Sequence, residues 1–372
     1  MSRSQPTNLS ASVLQRLLTV SKSLQEDFTL TLTRYAIERF LYRLSRSPFA
    51  DRFVLKGAIL LNVWAKQPFR RTRDLDLLGY GEPSAAHLRE VFAELCALQV
   101  EPDGLIFDPT TIRIEAIRDD QEYQGERVRV TARLGNTRMV VQADIGFGDA
   151  VTPPPEEIEY PTILKMPAPR LRAYPREAVI AEKFHAMVVL GVRNSRMKDF
   201  FDLALIARTF TVAGKRLAEA LQATFARRHT PIPAELPFAL SEPFFSDPTK
   251  RRQWEAFVRK GGIGNIPEPF EHVVPAIRAF LLPPMQALIR EESFTDIWPP
   301  GGPWKEGRWG GWTFPNGASK GPLNTASCRT GQQIRRRGPR ACERNLPRIR
   351  RDVAHLRNLF MGWRTLKAEK RE

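Results

Sequence analysis

Cysteine and long apolar runs are both scarce in this chain, and each scarcity argues against a class of protein. The three cysteines among 372 residues, Cys96, Cys328 and Cys342, have no metal-ligand spacing. No run reaches the roughly 18 apolar residues typical of a membrane-spanning helix. The polar N-terminus leads into no apolar segment, so we expect no signal peptide. These absences favour a cytoplasmic protein that has no membrane partner.

Acidic residues are scarce near the C-terminal end of the sequence and nowhere else. The net charge of +16 is typical of nucleic-acid-binding proteins, but it is unevenly distributed. Residues 305–372 hold 17 of the 57 lysines and arginines and 5 of the 41 acids, whereas the first 304 residues are nearly neutral. Glycine, proline and arginine recur in this last segment, which indicates a basic, poorly ordered tail. The total charge therefore cannot assign the rest of the chain to nucleic acid.

Apolar periodicity predicts an α+β fold. Apolar side chains at i, i+3, i+4 and i+7 indicate a helix over residues 37–44, and a second helix is expected over 87–98. Alternating runs predict strands at 53–55, 74–78, 112–117, 127–134 and 138–147, with a tight turn at Gly135-Asn136. Since helices and strands mix without regular alternation, we predict a small mixed sheet with helices on one side.

Three segments follow from these patterns. The triple proline at 153–155 marks a boundary or a rigid excursion, and strong helices are predicted at 175–190 and 197–210. The segments are a core with N-terminal helices at 1–165, a mainly helical domain at 166–304 and the basic tail at 305–372.

Asp74 and Asp76 form the acidic pair on which the chemical argument depends. They stand two residues apart on a predicted strand, so both carboxylates project from one face while Leu75 and Leu77 point into the core. Such carboxylates can bind Mg²⁺, which prefers carboxylate oxygens together with substrate phosphates, and Mn²⁺ is a second option. Isolated Asp-x-Asp pairs are common on solvated strands, so the sequence context has to decide.

A glycine turn lies upstream of this pair. Lys56-Gly57-Ala58 falls between a short strand and a short helix, where backbone N–H groups and the helix N-terminus would favour a triphosphate. We therefore predict Lys56, Gly57 and Ala58 as nucleotide-binding residues. An ordinary glycine turn is the competing interpretation.

A third acid, Asp144, interrupts the apolar run of the predicted strand 138–147. An unpaired carboxylate in such a run is costly, and a metal ion shared with Asp74 and Asp76 would remove that cost. We predict Asp144 as a third metal ligand if its strand pairs beside theirs.

Two predicted helices supply further charged residues. Lys183 lies in the middle of the first helix and could neutralise a triphosphate. Asp199 and Asp202 share a face of the second, and Asp199 could hold Lys183 or assist proton removal from the acceptor hydroxyl. The competing interpretation is an interhelical salt bridge between Lys183 and Asp199 and nothing more. For His185, a packed and hydrogen-bonded residue is the favoured interpretation.

A basic loop precedes the acidic pair. Arg70, Arg71 and Arg73 could bind RNA phosphates or the nucleotide, and Arg73 is the nucleotide-binding candidate among them. A solvated loop that offsets the charge of the acids agrees equally well with the sequence.

Together and in this order, these motifs resemble the AbiEii/AbiGii family of nucleotidyltransferase toxins, members of the DNA polymerase β-like superfamily. The resemblance covers roughly residues 30–304. It rests on Leu55-Lys56-Gly57, Arg73-Asp74-Leu75-Asp76-Leu77, Ala181-Glu182-Lys183, Lys198-Asp199-Phe200-Phe201-Asp202-Leu203 and the closing stretch from Trp298 to Trp304. It implies a polymerase β-like core and a helical C-terminal domain that completes the active site.

The resemblance also implies roles for individual residues. Asp74 and Asp76 would bind the metal ion, Lys183 would be the active-site lysine, and Asp199 would be the first acid of the Asp-x-x-Asp helix. The implied cofactor is Mg²⁺ or Mn²⁺, and the implied substrate is an NTP. Family members act as toxins in toxin–antitoxin or phage-defence pairs, so a cognate antitoxin is an expected partner, and some members modify tRNA.

Two positions depart from the family pattern. Ala58 stands where Ser or Gly usually follows the glycine, and Lys198 stands where Arg precedes the helix acid in many members. Because neither change removes a predicted metal ligand, they affect the choice of nucleotide more than the expectation of activity.

We therefore expect a magnesium-dependent toxin that transfers a nucleoside monophosphate from an NTP to RNA, with tRNA as the expected acceptor. Two alternatives stay open. One is a catalytically degenerate RNA- or partner-binding protein that uses the basic tail. The other keeps the NTP-dependent chemistry but modifies a protein side chain.

Overall fold

The computed structural model describes residues 8–65, 74–118, 124–148, 151–261 and 268–307, which lie within the unit Met1–Gly310. The basic loop with Arg70, Arg71 and Arg73 lies outside the described residues, and so does the tail beyond residue 307. Predictions that rest on these two segments stay predictions.

Two N-terminal helices, α1 (Leu9–Leu24) and α2 (Phe28–Arg46), precede the sheet. The side chain of Asp27 caps α2 by accepting a hydrogen bond from the backbone N–H of Leu30 at 3.1 Å. Most of α2 is buried, including the apolar face predicted for residues 37–44. It is therefore a central helix of the core and not a surface helix.

Charged residues buried on α2 are balanced by partners from later loops. Asp103 accepts hydrogen bonds from Arg39 Nε at 3.2 Å and from Arg43 Nη1 at 2.7 Å. Glu38 Oε2 accepts one from the backbone N–H of Ile163 at 2.7 Å. Buried arginines keep their charge where a carboxylate pairs with them as Asp103 does, and the contacts of all three side chains tie α2 to the loops around Asp103 and Ile163.

A seven-stranded mixed sheet forms the centre of the described structure, which confirms the predicted α+β class. Its strands are β1 (Phe53–Lys56), β2 (Asp74–Gly79), β3 (Leu105–Arg118), β4 (Gln124–Leu134), β5 (Thr137–Phe147), β6 (Glu156–Glu159) and β7 (Arg170–Ala173). Their order across the sheet is β3-β4-β5-β2-β1-β7-β6. β2 runs parallel to β5 and β1 runs parallel to β7, whereas the other neighbours are antiparallel.

The sheet is larger than the small one predicted. β6 and β7 follow the triple proline at 153–155 and still join the same sheet, so that segment is an excursion and not the end of the sheet. Each of these strands has only four residues, several of them charged, which is too short for a clear alternation. The predicted boundary at residue 165 falls between β6 and β7, and the division into 1–165 and 166–304 stays a prediction.

A hairpin with the predicted turn at Gly135-Asn136 joins β4 to β5. Gly135 has a φ of +59°, which suits a two-residue hairpin turn. β3 begins earlier than the predicted strand at 112–117 and continues through a register shift between Asp108 and Arg113. Pro109 lies in that shift, and because proline has no N–H to donate, it interrupts the ladder there.

Helices α2 and α4 (Ala85–Ala97) pack on the β5 and β3 end of the sheet. The Ser84 side chain caps α4 by accepting a hydrogen bond from the backbone N–H of His87 at 3.2 Å. Alternate side chains of β5, including Val141 and Ala143, are fully buried. The core therefore lies on this side of the sheet. A short helix, α3 (Ile59–Ala65), follows β1.

The described residues from 176 to 307 are mainly helical. Its helices are α5 (Arg176–Leu190), α6 (Met197–Thr209), α7 (Gly214–Arg227), α8 (Glu242–Ser246), α9 (Pro248–Gly261) and α10 (Phe270–Ile289). The bounds of α5 and α6 differ from the predicted bounds by at most one residue. By length and composition alone, α10 is apolar enough to cross a membrane, but it packs against α6, α7 and α8 as a core helix.

The tryptophan-rich segment at 298–304 packs back on the helical part. It begins at β9 (Ile297–Trp298), which pairs with β8 (Val212–Ala213). Trp298 Nε1 donates a hydrogen bond to the carbonyl of Ala207 at 2.6 Å, and Trp304 Nε1 donates to the carbonyl of Phe280 at 3.0 Å. Residues up to Trp304 are therefore part of the folded unit.

Candidate active site

Three neighbouring strands bring predicted site residues onto one face of the sheet. β2 lies between β1 and β5, and Asp76 is in register with Lys56 on β1 and with Asp144 on β5. Residues in register on adjacent strands project from the same face. The side chains of Lys56, Asp76 and Asp144 therefore form a row across the sheet.

Asp74 belongs to the same face. It stands two residues before Asp76 and in register with Gln142, whose Nε2 donates a hydrogen bond to Asp74 Oδ1 at 3.0 Å. Leu75 and Leu77 are buried on the opposite face. Asp74 is exposed and Asp76 is partly exposed, so the pair opens to solvent at the start of β2.

Gly57 leaves the space that the Asp76 side chain occupies. A Cβ atom at residue 57 would lie 1.9 Å from Asp76 Oδ2, far inside van der Waals contact. The φ of +77° at Gly57 is also one that glycine adopts readily. The acid therefore requires a glycine in this turn, whatever the turn offers to a phosphate. Ala58 is buried beside it, and the nucleotide-binding roles of Lys56, Gly57 and Ala58 stay predictions.

Asp144 is held by an arginine that is not among the predicted site residues. Arg127 on β4 donates from Nε to Asp144 Oδ1 at 2.8 Å and from Nη2 to Asp144 Oδ2 at 2.7 Å. These hydrogen bonds raise the pKa of Arg127 above its usual range. The turn at Gly135-Asn136 could have revealed the pair, because that turn fixes the register that sets Arg127 opposite Asp144.

Asp74 and Asp76 offer the donor atoms that a divalent cation needs. Two carboxylates on one face are hard oxygen ligands of the kind that Mg²⁺ prefers. Arg127 occupies both oxygens of Asp144. Within the part of the chain that the structure describes, no three acid, histidine or cysteine side chains are arranged to hold a metal ion. The arrangement fits a cation held by Asp74 and Asp76, and Asp144 would share its oxygens between Arg127 and the cation if it joined them.

Electrostatics at Asp76 also favour a cation. Burial raises the pKa of Asp76 to about 6, and the nearby charge of Asp144 adds to the increase. Lys56, Lys198 and Lys183 act in the opposite direction. A desolvated carboxylate beside a second acid gains from an added positive charge. Lys56 stands beside this acid on β1, and the charges of Lys198 on α6 and Lys183 on α5 also act on it.

Lys183 on α5 joins two acids of α6. Its Nζ lies 2.7 Å from Asp199 Oδ1 and 2.8 Å from Asp202 Oδ2. Both acids are fully buried, and Arg196 Nε lies 2.9 Å from the second oxygen of Asp199. The predicted contact between Lys183 and Asp199 is present. Asp202, which was predicted on the same helix face but without a role, is an equal partner.

His185 is a packed and hydrogen-bonded residue. Its Nε2 lies 2.9 Å from Thr230 Oγ1, and its Nδ1 lies 3.2 Å from Arg228 Nη1. Since arginine can only donate, Nδ1 accepts and the ring proton is on Nε2. Burial and the charge of Arg228 lower the pKa of His185 to about 4, so the ring is neutral at neutral pH. These contacts account for His185 without a role in catalysis.

Two solved structures from Helicobacter pylori are similar to this chain at low sequence identity. JHP933 is 17% identical, with 68% of this chain and 90% of that chain covered and a TM-score of 0.38. A candidate nucleotidyltransferase is 16% identical, with 68% of this chain and 94% of that chain covered and a TM-score of 0.37. No curated protein sequence matches the chain.

A family model matches residues 39–280, and its description is nucleotidyl transferase AbiEii toxin, type IV toxin–antitoxin system. The matched range includes every predicted site residue from Lys56 to Asp199. Because the match extends over more than half of the chain, this protein belongs to the AbiEii family of nucleotidyltransferase toxins.

Proposed function

We propose that this enzyme transfers a nucleoside monophosphate from an NTP to RNA, with tRNA as the first acceptor to examine, in a reaction that depends on Mg²⁺ or Mn²⁺. Family membership supports the transferase chemistry. The assignment of the site depends on the register of three strands, which sets Lys56, Asp76 and Asp144 side by side, with Asp74 on the same face.

Asp74 and Asp76 are the proposed metal-holding pair. The close approach of Gly57 limits where the Asp76 carboxylate can lie, and Gln142 orients Asp74 through its 3.0 Å hydrogen bond. When bound, the metal ion supplies activation of the acceptor hydroxyl and charge neutralisation at the triphosphate. Asp144 is proposed as the third ligand, with its oxygens shared between the metal ion and Arg127.

Lys183 and Lys56 are the proposed contacts to the triphosphate. Both amines lie near enough to Asp76 to lower its pKa, so they are close to the place where the phosphates would lie. Fixed cations stabilise the negative charge that develops on the leaving pyrophosphate. Arg73 keeps its predicted contact to the nucleotide as part of this proposal.

Asp199 has a positioning role in the proposed reaction. One of its oxygens lies 2.7 Å from Lys183 Nζ, and the other lies 2.9 Å from Arg196 Nε. Because one oxygen accepts a hydrogen bond from Lys183 and the guanidinium charge of Arg196 lies beside the other, Asp199 is better suited to orient Lys183 than to remove a proton from the acceptor.

The proposed biological setting is a toxin–antitoxin pair in the cytoplasm, with phage defence as one outcome of its toxicity. The type IV description of the family supports an antitoxin as the cognate partner. Expression in a bacterium should be toxic, and Asp74→Ala should relieve that toxicity if the transferase activity causes it.

Incubation of the full chain with each labelled NTP, Mg²⁺ and total RNA tests the proposed reaction. Label should move to RNA with at least one NTP, and EDTA should prevent the transfer. Asp76→Asn should reduce transfer by about 100-fold because it removes a charged ligand. Glu159→Gln is a matched control, since Glu159 is an exposed strand acid on β6, at the far edge of the sheet, where it pairs with Arg170.

Each other outcome has a separate meaning. Label on protein and not on RNA would support a side-chain acceptor. Unchanged transfer by Asp76→Asn would overturn the assignment of the acidic pair. No transfer with any of the four NTPs would count against the proposed reaction and favour a degenerate binding protein.

A further inference from the structure

The sheet face that carries Asp74, Asp76 and Asp144 is open to solvent along β3, β4 and β5. Along β4 and β5 the side chains alternate, so that Val128, Val130 and Val141 are buried while those between them are partly or fully exposed. Asp144 and Asp76 lie on the same face as the exposed set. An acceptor molecule can therefore reach the acids by lying along these three strands.

Arginines dominate this open face. They are Arg113 on β3, Arg127, Arg129 and Arg133 on β4, and Arg138 on β5. Apart from the acids of the candidate site, the described acidic residues on this face are Asp108 and Glu115. Glu115 Oε2 lies 2.8 Å from Arg129 Nη1, and Asp108 Oδ2 lies 3.7 Å from Arg133 Nη2. The face keeps an excess of positive charge after this pairing.

Two of the arginine pairs are in direct register across strands. Arg113 stands opposite Arg129, and Arg133 stands opposite Arg138. Like charges directly opposite one another destabilise a sheet. A structure that keeps two such pairs on one exposed face is better explained by an anionic partner than by stability of the sheet.

Exposed apolar side chains lie among the arginines. Val140 is 53% exposed and stands two residues from Arg138, and Ile106 is 69% exposed and in register with Arg133. A basic surface holds a single nucleic-acid strand through its phosphates, and the apolar side chains between these arginines leave places where riboses or bases can rest. Because the arginines also adjoin the site of the proposed transfer to RNA, RNA is favoured over an acidic protein partner.

The arginines of this open face extend to the candidate site. Arg127, the member nearest to β2, holds Asp144 directly. Arg138 lies six positions before Asp144 along β5, which is roughly 20 Å in an extended strand. Several phosphates of an extended strand could therefore contact the face while its end lies at Asp76.

We infer that the open face of β3, β4 and β5, here named the acceptor face (Ile106, Arg113, Arg129, Arg133, Arg138 and Val140), binds the single-stranded end of the acceptor RNA. The reacting hydroxyl lies at Asp76, and the preceding phosphates lie along the arginine pairs. The inference rests on the proposed function and adds to it the surface and the strand form of the acceptor.

Charge reversal at one arginine pair tests the acceptor face. Arg133→Glu/Arg138→Glu is compared with Arg252→Glu/Arg259→Glu, which changes the charge equally at exposed positions of α9. The probe is a fluorescein-labelled single-stranded RNA oligonucleotide, titrated by anisotropy in EDTA so that binding is separate from catalysis. The full chain is used in every case, so the tail contributes equally.

The acceptor-face variant should bind the oligonucleotide about tenfold more weakly or worse, and the α9 variant should change by less than about twofold. The plot of log binding constant against log salt concentration should be less steep by about 1.4 in the acceptor-face variant, because two contacts to single-stranded phosphates are lost. Equal losses in the two variants would overturn the inference. Thermal unfolding of both variants verifies that they are folded.

A second measurement uses the unmodified protein. Ultraviolet crosslinking to RNA that contains 4-thiouridine should yield crosslinked peptides from residues 105–118 and 124–148. Crosslinks confined to other segments would overturn the acceptor face. If the wild type labels RNA and the Arg133→Glu/Arg138→Glu variant labels it equally well at limiting RNA, the acceptor face fails and the proposed function stands. If the wild type labels no RNA, the proposed function fails and the inference fails with it.

Discussion

At the scale of single residues, the candidate site depends on a position that lacks a side chain. Gly57→Ala is expected to abolish nucleotide transfer, because the added methyl group would overlap the Asp76 carboxylate, whose Oδ2 lies 1.9 Å from the Cβ position. The carboxylate would have to turn away from Asp74, and the metal-holding pair would be lost. Transfer of labelled NTP and thermal unfolding are the measurements.

Gly81→Ala separates this overlap from backbone strain. Gly81 has a φ of +108°, but beyond its chain neighbours no described atom lies within 4 Å of its Cβ position. The variant should lose about 1–2 kcal/mol of stability through the positive φ and keep its transferase activity. Equal losses of activity at the two glycines would contradict the overlap argument.

The two hydrogen bonds from Arg127 to Asp144 lead to a second prediction. Arg127→Gln should tighten Mn²⁺ binding in the absence of nucleotide by about tenfold, because it frees a carboxylate beside Asp76. Electron paramagnetic resonance of free Mn²⁺ during a titration measures the affinity. Arg133→Gln, which breaks the looser pair with Asp108, should leave it unchanged. If Arg127→Gln leaves the affinity for Mn²⁺ unchanged, Asp144 pairs with Arg127 and does not bind a metal ion.

At the scale of secondary-structure elements, one lysine links α5 to two buried acids of α6. Lys183→Met should cost about 3–5 kcal/mol of stability, because it leaves Asp199 and Asp202 buried without their shared cation. It should also abolish transfer. Chemical denaturation and the labelled-NTP assay report the two losses separately.

A compensated variant distinguishes structure from catalysis at this position. Lys183→Met/Asp199→Asn/Asp202→Asn has no uncompensated buried carboxylate, so it should recover much of the lost stability. It should stay inactive if Lys183 contacts the triphosphate. If transfer recovers together with stability, Lys183 has no catalytic contact and forms only an interhelical salt bridge, as the competing interpretation holds.

Most elements around the site follow from local sequence. The period-two pattern predicted the strand of Asp74 and Asp76, and apolar spacing placed α5 and α6 to within a residue. Four-residue strands such as β6 and β7 escaped prediction because their pairing is non-local and their alternation is too short. The neighbours of Asp76 could not be predicted from β2 alone, since they depend on the register between strands that are distant in sequence.

At the scale of the whole molecule, the charges buried on α2 make stability depend on pH. Burial raises the pKa of Glu38 from 4.5 to about 7, although the hydrogen bond from Ile163 and the charge of Arg39 act against the increase. Between these two values the folded protein keeps a proton that the unfolded chain has released. The free energy of unfolding should therefore fall as the pH rises from about 4.5 to about 7.

Glu38→Gln should remove this dependence, because the amide keeps an oxygen for the N–H of Ile163 and carries no charge. Relative to the wild type, the variant should gain on the order of 1–3 kcal/mol between about pH 5 and about pH 8. Urea denaturation of both proteins at both pH values measures the change, and groups common to the two proteins cancel. A difference in stability that is independent of pH would show that Glu38 titrates normally.

The buried face of β4 decides which residue faces Asp144. With two turn residues, β4 presents Arg127. Since neighbouring strand residues point to opposite faces, a one-place slide of β4 would expose Val128 and Val130 and turn Arg127 and Arg129 into the core. An extra turn residue is therefore expected to form a bulge and to leave Arg127 in place. The affinity of the resting site for a cation is thus tied to apolar packing on the side of the sheet that faces away from it.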